Sequence, residues 1–332
     1  MKFIFSTCLL LLQAWVLGQN VSPVDYVNPL MGTQSKPSLS NGNTYPAVGL
    51  PWGMNIWTPQ TGKMGDGWAY TYDADKIKGF KQTHQPSPWM NDYGAFAIMP
   101  GVGKVKFKEE DRASWFSHKA EVTTPYFYSV YLADINVTTE FTPTERASYF
   151  KFDFPKTDSA YIVVDALNKG SYIKILPKER KIIGYTTKYS TGKYENFKNY
   201  FVVQFDKDFE LTKTWKDDKL VNDQLEITSD HTGAVVGFKL KNKETVYAKV
   251  ASSFISFEQA ELNLKREKVT KGLELILTKE KVTKRTKLIL KFPSIKLGHL
   301  SLKMLIISGV QGSYTGVVLT RHHSSILCIL LN

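Results

Sequence analysis

The sequence predicts an all-β fold, an antiparallel β-sandwich closed by a single linker helix. Three observations carry this expectation. Short apolar or alternating runs recur between turn signals from Ala95 to Ser253, the spacing expected of a sandwich. Seventeen Tyr, nineteen Phe and seven Trp suit pleated, half-buried surfaces better than helical bundles. No alternation of strand and helix patterns and no fixed-period repeat interrupts the series.

Taken in order, residues 1–18 read as a signal peptide. Lys2 supplies the positive start, and Phe3 to Leu12 forms an apolar stretch too short to span a bilayer. Export to a secreted or periplasmic location without a lipid anchor or membrane span follows. Cleavage would remove Cys8 and leave Cys328 as the one remaining thiol. The exported chain would then depend on its core rather than on a disulfide.

Residues 21–255 are assigned to the sandwich. Its first part, 21–95, is rich in Gly, Pro, Asn and Trp and reads as turns and irregular loops. Strands are expected at Ala95–Met99, Tyr126–Leu132, Ile135–Phe141, Tyr149–Phe154, Tyr161–Val164, Tyr200–Phe205, Ala234–Leu240 and Val246–Val250. In Ile135 to Phe141, apolar or Thr side chains alternate with polar ones, as a strand with one buried face requires. Residues 256–267 are the linker helix. Ser256 and Gln259 fit a capping box, and Phe257, Ala260, Glu261 and Leu264 share one face.

Residues 268–332 have a different character. Nine Lys and two Arg stand against Glu274 and Glu280, so most of the net charge of +12 lies in this tail. The rest of the chain is nearly balanced, which removes the electrostatic argument for a nucleic-acid partner. The tail has neither a clean heptad nor a clean strand pattern, and Lys303, Gln311 and Arg321 interrupt it as a membrane span. It is expected to be a non-native reading frame or a truncated end.

The residues with chemical promise lie between Asn41 and Asp92, which hold four of the seven Trp and His84. A sugar offers an apolar C–H face to an aromatic ring and hydroxyls to Asp, Asn or His. His84, Trp89 and Asp92 sit in one loop ahead of a strand and form a candidate sugar subsite. Asp66 and Trp68, in Gly65-Asp66-Gly67-Trp68, form a second candidate loop. The structural alternatives are plain: Trp residues as core anchors, and Asp66 or Asp92 as turn caps. A glycosidase needs paired carboxylates, about 6.5–9.5 Å apart in an inverting enzyme. Asp66, Asp73, Asp75 and Asp92 are present, yet nothing in their spacing pairs them, so no catalytic residue is assigned here. HExxH, CxxC, GxSxG and EF-hand patterns are absent, and no metal ligand is identified.

Several ordered blocks nonetheless resemble glycoside hydrolase family 92. They are Asp25 to Thr33, Gly42-Asn43-Thr44-Tyr45-Pro46 with Pro51-Trp52-Gly53-Met54, Lys78 to His84 with Asp92-Tyr93-Gly94, and Phe116-Ser117-His118 with Tyr126-Tyr128-Ser129-Val130. The resemblance runs over residues 24–267. It implies an exo-acting, inverting, calcium-dependent α-mannosidase acting on α-mannoside glycans. It also implies an N-terminal sandwich joined by helices to an (α/α)₆ barrel that supplies the acid, the base and most calcium ligands. Gln85-Pro86-Ser87-Pro88-Trp89 stands where the family has a Gly- and Ser-rich loop. Twelve barrel helices do not fit in residues 268–332. The chain by itself is therefore expected to be inactive and not to retain calcium. The competing class is a stand-alone, lectin-like carbohydrate-binding module.

Overall fold

The computed structural model describes residues 23–34, 44–51, 53–63, 69–84, 92–188 and 196–267 in full, and the backbone of strands within 294–328. The signal-peptide expectation for residues 1–18 lies outside the described residues.

The main body is built from two antiparallel sheets. One contains β1 (Ile56–Gln60), β3 (Gly79–Thr83), β4 (Ala97–Val102), β10 (Thr157–Asp165), β14 (Leu211–Lys216), β15 (Lys219–Val221) and β17 (Thr232–Leu240), in the order β1-β3-β4-β10-β17-β14-β15. The other contains β6 (Glu121–Thr124), β7 (Phe127–Leu132), β8 (Val137–Pro143), β9 (Ala147–Phe154), β11 (Ser171–Leu176), β12 (Lys181–Thr186), β13 (Asn199–Phe205), β16 (Glu226–Ser229) and β18 (Glu244–Ser253). Its order is β16-β11-β12-β13-β18-β9-β8-β7-β6. A short ribbon pairs β2 (Lys76–Ile77) with β5 (Ser114–Trp115).

Period-two patterning explains the outer sheet faces. In β7 and β11, buried and partly exposed residues alternate strictly over most of each strand. The central strands of the seven-stranded sheet behave differently. Ala160 to Asp165 are all buried, as a strand covered on both faces requires.

The core between the sheets is aromatic. Trp57 meets Phe150 edge-on at 4.8 Å and Phe96 at 5.4 Å, and Phe96 stacks on Phe201 at 4.1 Å. Trp57–Phe150 and Phe96–Phe201 join the two sheets, while Trp57–Phe96 links β1 to the residue just ahead of β4 in the same sheet. A polar seam also crosses this core. Gln82 of β3 donates to Asn55 Oδ1 (2.9 Å) and Ser252 Oγ (2.8 Å), and accepts from Asn199 Nδ2 (3.0 Å). Asn55 in turn donates to Ser148 Oγ (2.8 Å) and accepts from the Trp57 indole (2.8 Å). Gln82, Asn55, Asn199 and Ser148 are all essentially inaccessible to solvent, so the hydrogen bonds among them are what makes their burial tolerable, with Asn199 Oδ1 alone of the seam's amide oxygens lacking a partner among the described residues.

All eight strands expected from the sequence are present. The Gly- and Trp-rich opening is more regular than its composition predicts, since β1 and β3 form there. Propensity was overridden by position: β3 is buried at every residue, packed in the centre of the fold.

The helix α1 (Phe257–Arg266) starts where expected. Ser256 caps it, its hydroxyl accepting from the Gln259 amide at 3.2 Å. The reciprocal half of the capping box is not made, because the Gln259 side chain donates to Asn263 instead (2.9 Å). The buried face is Ala260, Asn263 and Leu264. Glu261 pairs with Lys181 at 3.1 Å, and Phe257 rests against Tyr200. Asn263 anchors the helix to the sheet by donating to the Ser252 carbonyl (2.9 Å).

In the tail, β19 (Ser294–Leu297), β20 (Leu300–Gly309), β21 (Gly312–Arg321) and β22 (Ser324–Cys328) form an antiparallel meander. The sequence showed no clean strand pattern there. Its β-branched pairs, Ile306-Ile307 and Val317-Val318, sit within the two long strands, whose ends meet at Gly309 and Gly312.

Candidate functional site

β3 ends at Thr83, and the chain returns to the sheet through Asp92, Tyr93 and Gly94 before β4. Asp92 closes the base of the intervening loop. Its Oδ1 accepts from the amides of His84 (3.0 Å) and Tyr93 (2.8 Å), and its Oδ2 lies 3.0 Å from the Lys81 ammonium. Both members of that ion pair are buried, at 0% and 1% side-chain exposure. Burial alone would raise the Asp92 pKa. The Lys81 charge, aided by His84 and the amide donors, outweighs burial and holds the carboxyl below its ordinary value.

His84 faces the carbonyl of Tyr93 through Nδ1 at 2.9 Å. A carbonyl only accepts, so Nδ1 carries the proton. Burial pushes the ring pKa down despite the Asp92 charge, which keeps the imidazole neutral. Nε2 is then a lone-pair acceptor. It is closed off from solvent and has no hydrogen-bond partner among the described residues.

Around this group stands an aromatic cup. His84 lies 5.4 Å from Tyr93 and 5.0 Å from Phe254, and Phe197 packs 6.0 Å from Tyr93 and 5.5 Å from Phe254. Gly94 is required where it turns. Its φ is +60°, and a Cβ there would press on Phe254 and Asn199.

Phe254 also lines a cavity of ≈ 390 Å³, whose other lining residues come from the 54, 146 and 252–266 segments. Arg146, Ser252, Ser253, Gln259, Asn263 and Arg266 are its polar members, and Met54, Phe254 and Ile255 its apolar ones.

Of the five site residues expected from the sequence, the structure brings two together, His84 and Asp92. Trp89, Asp66 and Trp68 lie outside the described residues. Asp92 is buried and bridges the His84 and Tyr93 amides, as the turn-capping alternative describes. Asp73 is exposed and accepts from Gln34 (2.9 Å). Sequence reasoning missed Lys81, Tyr93, Phe197 and Phe254. Lys81 carries a signal, a charged residue within a strand whose other members are otherwise uncharged. Phe197 and Phe254 lie more than a hundred residues away from His84 in sequence and carry none.

Two other buried polar clusters stand apart from the loop. Glu121 accepts from Tyr128 (2.6 Å), Tyr70 (3.0 Å) and His118 Nδ1 (2.6 Å). Burial, reinforced by the Glu121 charge, pushes both tyrosines well above the usual phenol range. Asp165 binds Arg112 (2.8 Å) and His231 Nε2 (2.8 Å). Each cluster ties a loop to the sandwich. Among the described residues, no three His, Cys, Asp or Glu side chains converge as metal ligands. Ca²⁺ takes six to eight oxygens, and the described side chains offer no cluster that fits it.

A two-sheet antiparallel sandwich with a trailing helix, carrying a loop-borne His, Asp and aromatic end, defines an all-β domain with a buried polar and aromatic loop base. Residues 26–253 match the glycosyl hydrolase family 92 N-terminal domain, and the chain belongs to that family. It is similar to an inverting mannosidase of this family from Bacteroides thetaiotaomicron, with 36% identity and a TM-score of 0.77. The match covers 91% of this chain and 44% of that one. A second family 92 α-mannosidase from the same organism is 27% identical with a TM-score of 0.71, over 85% of this chain and 40% of its own. An uncharacterized secreted glycosidase of Arthroderma benhamiae is 26% identical over 141 residues, 40% of this chain and 18% of its own. The chain thus spans less than half the length of the relatives it matches. Among the described residues, no helix is long and apolar enough to cross a membrane.

Proposed function

We propose that this domain forms one wall of the mannose pocket of a secreted, exo-acting, inverting α-mannosidase that depends on calcium. The acid, the base and the calcium ligands belong to an (α/α)₆ catalytic domain, the partner of this one. The observation that carries the reading is the His84 lone pair. It is a neutral, buried acceptor held by Asp92 and Tyr93 at the rim of an aromatic cup. A sugar hydroxyl donates to such an atom, and its C–H face packs on rings such as Tyr93 and Trp89. Because Nε2 is closed off, the sugar reaches it only as neighbouring residues shift aside. Trp89, Asp66 and Trp68 are proposed as further sugar contacts, and Asp92 as the residue that positions His84. The likeness to an inverting mannosidase supports the substrate class.

Inverting hydrolysis needs a proton donor and a base on opposite faces of the sugar, and this wall supplies neither. The purified chain is therefore expected to release no mannose from an α-mannobiose with calcium present. Turnover that disappears in Asp66→Ala or Asp92→Ala would sink the proposal by placing the catalytic groups here. Methyl α-mannoside titrated against the chain is expected to bind weakly, since half a pocket buries little ligand surface, and His84→Ala is expected to weaken it further.

A further inference from the structure

The ≈ 390 Å³ cavity beside Phe254 has two arginines and no carboxylate in its lining. Neither Arg146 nor Arg266 has an ion-pair or hydrogen-bond partner among the described residues, although acidic side chains are common elsewhere on the fold. Guanidinium groups gathered in a concavity attract an anion with oxygens in a plane. The mouth of the cavity is unusual in a second way. Met54 and Ile255 stand there 62% and 75% exposed. Sugar hydroxyls or a free phosphate would leave both uncovered. Met, aromatic residues and Arg are the types enriched where one protein surface meets another. The walls are rigid as well, since Asn263 fixes α1 to Ser252 and the Met54 amide bonds to the Glu145 carbonyl at 2.9 Å.

We infer that this cavity is a socket for a protein carboxylate, an Asp or Glu side chain set in an apolar surface of the domain that follows α1 in longer members of the family. This rests on the two-domain reading above. Three observations choose the occupant. Arg266 is the last residue of α1, so whatever follows that helix leaves from the socket's own edge. The solved relatives carry more than half of their length outside the match. The tail of this chain is a poor occupant by charge, with Glu274 and Glu280 set among nine Lys and two Arg. In the socket, the carboxylate accepts from Arg146 and Arg266 while its apolar surroundings cover Met54 and Ile255.

The test uses the full chain with ¹⁵N-labelled arginine, titrated with N-acetylglutamate methylamide. The neutral glutamine analogue, glucuronate and inorganic phosphate serve as comparison probes. The glutamate probe is expected to shift the Nε–H signals of Arg146 and Arg266, and the glutamine analogue to leave them unmoved. Arg146→Gln or Arg266→Gln, checked for an unchanged melting temperature, is expected to weaken the probe by about tenfold or more, the scale of a lost charge-assisted bond. No response, or a response that survives the double substitution, overturns the inference. Phosphate or glucuronate binding more than tenfold tighter overturns it too, and reassigns the cavity to a small anion or an acidic sugar. A dimer abolished by Arg146→Glu would make a second copy of the chain the occupant, again against the inference. Mannose release by the isolated chain would instead sink the two-domain reading, and leaves the probe result to be judged by itself.

Discussion

Asp92→Asn is the substitution that most directly interrogates the loop base. The change is isosteric, and Asn Oδ1 still accepts from the His84 and Tyr93 amides that lie at 3.0 and 2.8 Å. What disappears is the negative charge 3.0 Å from Lys81, a cation with no solvent exposure. Removing one partner of a fully buried ion pair costs about 3–5 kcal/mol, because the other charge is stranded. At about 2–4 °C per kcal/mol for a chain of this size, the melting midpoint should drop by about 10 °C. Lys81→Met strands Asp92 in the same way and should cost a similar amount. The double variant Lys81→Met/Asp92→Asn removes both charges and keeps the amide bonds, so it should recover most of the loss. A coupling energy of about 2–3 kcal/mol is expected from the cycle. Acidification supplies an independent readout. The Asp92 carboxyl is held below its ordinary pKa, so its contribution is fully present above the unfolded value near about 3.9 and is lost as pH falls through the lower folded value. The wild type should therefore lose more stability than Asp92→Asn between pH 5 and acid. Unfolding can be followed by the fluorescence of the buried Trp57 and Trp215. A loss below about 1 kcal/mol for Asp92→Asn, or additive single effects, would refute the reasoning.

Other outcomes are equally definite. The His231 pKa is raised, since the Asp165 carboxylate more than offsets burial. Its stabilisation is thus present below about pH 6.5 and lost as pH rises through the folded value; denaturation midpoints of His231→Gln should not show that decline. Gly233→Ala would drive a Cβ into the Trp215 indole, and overpacking of this kind costs about 1–3 kcal/mol, readable as a lower thermal midpoint. Ser256→Ala removes the acceptor for the Gln259 amide and should cost about 1 kcal/mol, with hydrogen exchange accelerating first in the opening turn of α1.

Legibility in the sequence followed the range of the interactions concerned. Strands such as Val137–Pro143 announce themselves because alternation is a local property of the chain. So does the Ser256 cap, whose partner is three residues away. The Gly-rich opening concealed β1 and β3 because their stability comes from neighbours distant in sequence: Gln82 finds Asn199 and Ser252 only after folding. His84 and Asp92 were visible as a pair through their shared loop. Their division of labour was not, because it depends on Lys81 lying on the same side of β3 and on the Tyr93 carbonyl facing Nδ1. The socket arginines left no mark at all, since Arg146 and Arg266 lie 120 residues apart in sequence and come to line one cavity only in the folded chain.

The seam formed by Asn55, Gln82, Ser148, Asn199 and Ser252 has a consequence for how such sandwiches drift apart in evolution. Two oily faces can slip past one another by a strand spacing at little enthalpic penalty, because one methyl group replaces another. Amides that interlock across the gap cannot: a slip leaves several buried donors and acceptors orphaned together, each at about 1–3 kcal/mol. The seam therefore acts as a dowel between two boards. Surface strands and loops are at liberty to be rewritten while the boards stay aligned, and the loop carrying His84 keeps its address relative to Phe254 on the opposite sheet.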